Sequence, residues 1–285
     1  MKGEFAVKRS RKVRKGILSA VLCASVLAVA IGSAQADPIT FLPAGTPIQF
    51  KYNNFESQVT QVGQELVGIF TITSIHRENP INPALWSSGI SDGTELNGIF
   101  KALIVNDISG AGPFTVKFSS GELAMYNVPL GTFNPNNGPG TVAAMLGDVC
   151  GAFCGAPNPW LTANFRSGIN PGDANTTLQA VLDNLTAPGT GKGAGYLNME
   201  TNTFGTGANN AFFATQGFAT AFGLRDLFLE SDLAFCPAQG CAGNWPTTSH
   251  DPLHANNSTV PEPASLLLVG AGLAGLGAWR RLKTS

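Results

Sequence analysis

The chain has 285 residues, a formal net charge of −1 and only 12% charged residues, few for a soluble enzyme. Seven of its 17 basic residues lie in 1–36 and three in 260–285; Glu4 and Glu262 are the only acidic residues in the same end segments. Residues 37–259 therefore hold seven basic against 16 acidic residues, a net −9 that argues against nucleic acid or anionic lipid as a partner.

The chain opens on a basic leader, Lys2 to Lys15, followed by an apolar core from Ile17 to Ile31. Ala34-Gln35-Ala36 is a small-x-small cleavage pattern, which makes 1–36 a signal peptide with Asp37 as the first mature residue. The Sec translocon and signal peptidase are the partners this leader implies. Leu22 stands before Cys23, where a lipoprotein signal needs a small residue.

Residues 37–236 are long enough for one substantial core, and turn residues recur about every 8–12 positions. Strands are expected at Pro47–Phe55, Glu65–Ile75, Leu96–Asp107, Phe114–Phe118, Glu122–Val128, Trp160–Arg166, Gly195–Glu200 and Asp226–Phe235. In Phe114 to Phe118 the phenylalanines and Val116 share one face, with Thr115 and Lys117 opposite, as in a half-buried strand. Glu65-Leu66-Val67-Gly68-Ile69-Phe70 is echoed 30 residues on by Glu95-Leu96-Asn97-Gly98-Ile99-Phe100. Two copies are too few for a solenoid, and they read as similarly built strands, neighbours in one sheet. Leu178, Val181, Leu182 and Leu185 follow a helical spacing between a cap at Asn175 or Thr176 and a stop at Pro188-Gly189. The expected fold is all-β: an antiparallel β-sandwich, jelly-roll-like, with one short amphipathic helix. Residues 237–259 show no periodicity and read as a stalk.

Cys150, Cys154, Cys236 and Cys241 remain after the leader, and an even number in an exported chain points to two disulfides. Both local and crossed pairings are open. Cys236, Cys241, His250 and His254 resemble a zinc ligand set, but the Cys-to-His gap is short and Pro246 and Pro252 interrupt any helix that would present the histidines. No metal and no cofactor is expected.

The chain ends on Pro261-Glu262-Pro263, an uncharged run from Ala264 to Trp279, and Arg280-Arg281-Leu282-Lys283. The run, about 264–279, is slightly short for a spanning helix, but Arg280 and Arg281 can snorkel and act as a basic stop. The two prolines hold Glu262 in an extended, non-helical segment suited to a protease groove. This order of motif, Gly/Leu/Ala helix and arginines over 260–283 resembles the PEP-CTERM sorting domain of Gram-negative bacteria. The resemblance implies that exosortase, a membrane protease-transpeptidase, removes the tail near Pro261-Glu262-Pro263. It also implies delivery to the cell surface or matrix, in organisms that often make extracellular polysaccharide, the further partner it suggests.

The middle of the chain carries no G-x-S-x-G elbow, no H-E-x-x-H and no P-loop, so no catalytic residue is assigned. Glu65, Glu95 and Glu122 each follow a turn, and paired carboxylates would suit glycoside hydrolysis. The first expectation is a non-enzymatic surface or matrix protein with a structural or adhesive role in envelope, biofilm or floc. The alternative is a carbohydrate-binding module or a secreted polysaccharide hydrolase on the same scaffold.

Overall fold

The structure, a computed structural model, describes residues 42–78, 84–155, 159–236 and 241–258. All lie in the second of two compact units, Phe41–Ser285. The expected signal peptide and sorting helix fall outside the described residues.

The expected strands form, each within a few residues of its anticipated ends. They are β1 (Pro47–Glu56), β2 (Glu65–Arg77), β4 (Thr94–Ser109), β5 (Phe114–Ser119), β6 (Glu122–Pro129), β7 (Leu161–Arg166), β9 (Thr190–Met199) and β12 (Leu227–Phe235). Further strands are β3 (Trp86–Ser87), β8 (Leu178–Leu182), β10 (Phe218–Thr220), β11 (Gly223–Arg225), β13 (Thr247–His250) and β14 (Leu253–Asn256). Two helices are α1 (Val142–Val149) and α2 (Asn210–Phe213).

Pairing, rather than strand content, corrects the sandwich expectation. β5 and β6 run on in nearly one register along β4, interrupted at Ser120-Gly121, where both residues have positive φ. β13 and β14 likewise keep a single register against β1, from Glu56↔Thr247 to Pro47↔Asn256, and another against β12. They are one strand broken at Asp251-Pro252, where proline removes a ladder donor. β7 pairs with β6, β8 with β5, and both with β9. With these joined, every main strand pairs antiparallel with the next along the chain: β1, β2, β4, β5/β6, β7/β8, β9, β12 and β13/β14, which returns to β1. One sheet closes on itself as an up-and-down barrel, and closure leaves no unpaired edge in the ring.

Two other expectations change. Leu178–Leu182 is a strand rather than a helix: Leu178, Ala180 and Leu182 are buried while Val181 is exposed, a period of two. Leucines four apart satisfy a helical and an alternating pattern alike, and hydrogen bonding between β5 and β9 decides for the strand. The supposed stalk is also structural, because Thr247–Asn256 is the strand that completes the ring. Only 237–240 and 259 of that segment lie outside the described residues.

The internal echo becomes a cross-strand device. β2 and β4 pair Gly68 with Phe100, Ile69 with Ile99 and Phe70 with Gly98. Each phenylalanine ring lies over the opposite glycine: a Cβ at Gly98 would meet Phe70 Cζ at 2.0 Å, and one at Gly68 would meet Phe100 Cζ at 2.3 Å. Glycine here makes room for an aromatic ring across the ladder, a known means of pinning register.

The barrel wall is covered outside as well as in. Ile69, Ile99, Tyr126 and Val128 pack with Met145 and Val149 of α1 and with Trp245. α1 starts at Thr141, whose side chain accepts from the Ala144 amide at 3.3 Å. Both cysteine pairs are local: Cys150–Cys154 and Cys236–Cys241, with Cα–Cα distances of 5.1 and 5.4 Å, inside the disulfide range. The first ties down the end of α1, and the second spans the short link between β12 and β13.

Candidate functional site

β1 determines the inside of the barrel. Ile48, Phe50, Tyr52, Asn54 and Glu56 are buried in alternation with more exposed neighbours, so one face points inward along the whole strand. Near its start the interior is filled by Phe50, Trp160 and Phe213, with ring centroids 5.6 to 6.5 Å apart in edge and tilted contacts. Towards its end the interior holds a cavity of about 90 Å³. Apolar side chains from opposite walls surround it, among them Phe70, Phe100, Phe118, Leu178, Leu229 and Leu253.

Polar side chains also line this space: Asn54, Glu56 and Thr247, with Tyr52, Ser57 and Ser231. Asn54 Nδ2 donates to Glu56 Oε1 at 2.6 Å and to Ser249 Oγ at 3.1 Å, and the Ser249 hydroxyl donates to the same Glu56 oxygen. Asn54, Glu56 and Thr247 line the cavity and are 8%, 9% and 3% exposed. Asn54 Oδ1 and Thr247 Oγ1 have no hydrogen-bond partner. Burying such an atom unpaired costs about 1–3 kcal/mol. Burial holds the Glu56 carboxyl above the ordinary carboxylate range, and the Ser249 bond pulls it partway back. Tyr52, the other ionisable side chain lining the cavity, is pushed up by burial in the same way. Neither residue stood out in the sequence, because Glu56 ends a strand where a solvated charge is ordinary.

The sign of the Glu56 effect yields a pH prediction. A carboxyl kept neutral by the fold contributes fully below its unfolded pKa and loses that contribution as pH rises through the folded value. Stability should therefore fall as pH climbs out of the ordinary carboxylate range. Glu56→Gln keeps the shape without the charge. In thermal melts the variant should gain on the parent as pH rises above the ordinary carboxylate range, by roughly 2–4 °C for each kcal/mol of lost ionisation penalty. A difference that does not change with pH would contradict a buried, neutral Glu56.

Of the carboxylates singled out in the sequence, Glu95 lies near the start of β4, Glu65 and Glu122 flank its middle opposite Ile104 and Lys101, and none of the three lines the cavity. Glu65 accepts from the Ala102 amide at 2.6 Å, capping a bulge where Ala102 has φ +58°. Glu95 accepts from Asn97 Nδ2 at 2.9 Å and from the Phe133 amide at 2.5 Å. Glu122 bonds Thr203 and lies 3.7 Å from Lys101. Each shapes the backbone around it. Cys236 and Cys241 bond each other, and His254 sits between Glu78 and Glu230, so the zinc-like set is not assembled.

The address of the molecule lies in its last residues. Residues 259–281 match the PEP-CTERM protein-sorting motif. Pro261, Glu262, Pro263, Arg280 and Arg281 fall inside that span and, like Ala34 and Ala36, outside the described residues. The motif implies an exported protein processed by an exosortase-type membrane enzyme. No curated protein matches the chain. No solved structure matches it either. No helix among the described residues is long and apolar enough to cross a membrane.

Proposed function

We propose that the chain is a non-enzymatic cargo of an exosortase-type sorting system, serving a structural or adhesive role at the cell surface or in the extracellular matrix. The match of residues 259–281 to the sorting motif carries this reading. On it, the leader is taken by the Sec translocon and cut after Ala36, and the tail is removed near Pro261-Glu262-Pro263.

The barrel supports a binding or scaffold role over hydrolysis. Glycoside hydrolysis needs two carboxyl groups about 5–10 Å apart across the substrate. Among the described residues Glu56 is the carboxylate lining the cavity, and Glu65, Glu95 and Glu122 accept from the Ala102, Phe133 and Thr203 amides.

Replacing Pro261, Glu262 and Pro263 with alanine tests the sorting. Cell fractionation should then find the chain as a longer precursor in the inner membrane, with most of the surface pool gone. Normal surface delivery of the triple variant would contradict the proposal.

A further inference from the structure

We propose that the barrel cavity is a binding site for a small, uncharged, ring-sized molecule, apolar except for one hydroxyl or similar group that Asn54, Glu56 and Thr247 would hold. The site does not depend on how the chain is exported.

Size sets the class of ligand. A water needs about 10–15 Å³ of such volume, so the cavity of about 90 Å³ offers roughly six to nine atom-sized positions. That suits a substituted ring or a short branched chain and is too small for a long lipid or an oligosaccharide.

Chemistry sets the rest. The walls are largely aromatic and aliphatic; Asn54, Glu56 and Thr247 sit where the end of β1 meets β13, and Tyr52 of β1 and Ser231 of β12 add further hydroxyls. Such a site, apolar with a few convergent polar groups, is the ordinary form of a small-molecule pocket. Asn54 Oδ1 and Thr247 Oγ1 are unpartnered on side chains more than nine-tenths buried. A ligand hydroxyl could donate to Asn54 Oδ1 and accept from Thr247. Among the described residues no Lys, Arg or His lines the cavity, so an anion would meet no counter-charge beside Glu56. The aromatic packing of Phe50, Trp160 and Phe213 closes the interior on the other side of the same strand face.

Fluorine NMR on the full chain in nanodiscs, with empty nanodiscs as the blank, tests this with three probes: 4-fluorophenol, fluorobenzene and 4-fluorobenzoate. The phenol should bind saturably and about tenfold tighter than fluorobenzene, a difference of about 1.4 kcal/mol, and the benzoate should not bind. Thr247→Val keeps the side-chain shape and removes the unpaired hydroxyl. It should bring the phenol towards the affinity of fluorobenzene while leaving fluorobenzene unchanged. Glu56→Leu should do the same if it folds, and Thr247→Val decides the matter if it does not. Equal binding of phenol and fluorobenzene would overturn the proposal. So would unchanged selectivity in Thr247→Val, or no saturable binding to a chain whose circular dichroism shows the sheet intact.

Discussion

A cargo domain begun at Asp37 and ended at Cys236 is expected not to fold, whereas one ended at Ser258 folds cooperatively. The difference is the strand Thr247–Asn256. It pairs along β1 from Glu56 to Pro47 and along β12 from Phe235 to Leu227. Without it, β1 and β12 both become open edges with unsatisfied backbone groups. The cut also removes Trp245, Leu253 and Ala255, which are 0–3% exposed. Losing one buried Trp or Leu costs about 2–5 kcal/mol, and a whole domain is stable by only about 5–15 kcal/mol. Several such losses together with an open ring exceed that margin. Circular dichroism melts of the two forms decide the matter. A stalk would leave the melts alike, so equal cooperative transitions would refute the closed ring.

Trp245→Ala should lower stability by about 3–5 kcal/mol, or roughly 6–20 °C in Tm for a domain of this size. Trp245 fills the space between the outer barrel wall and α1, against Met145, Val149 and the Cys150 end of the helix. Its indole Nε1 also donates to the Pro135 carbonyl at 2.9 Å. Truncation thus opens a cavity and leaves a carbonyl unpaired. Trp245→Phe retains part of the packing and should cost less than the alanine variant. Urea titrations of the two variants measure the order. A loss below about 1 kcal/mol for Trp245→Ala would mean that the outer layer is not packed as described.

Local pattern made most of the strands legible, and the Glu-Leu-x-Gly-Ile-Phe echo even anticipated that β2 and β4 are neighbours. Closure was not legible, because inward and outward residues alternate in the same way in a sandwich and in a barrel. β8 was misread because Leu178 and Leu182 suit both periods. Thr247–Asn256 escaped notice because its inward residues include Thr247 and Ser249, which are buried yet polar, so no apolar alternation marked the strand. Glu56 was passed over for a related reason. A charge at a strand end is usually solvated, and only the closing strand, through Thr247 and Ser249, buries it. The tail showed the opposite behaviour: its motif lies in a short contiguous segment, so residue order alone identified it, and the family model matches the same stretch.

Intact-mass spectrometry of the protein recovered from outside its own cells tests the account most directly. Asp37 at the amino end and a carboxyl end near Pro261-Glu262-Pro263, with the arginine tail gone, is the predicted result. A mass corresponding to Met1 through Ser285, with both ends retained, would contradict it.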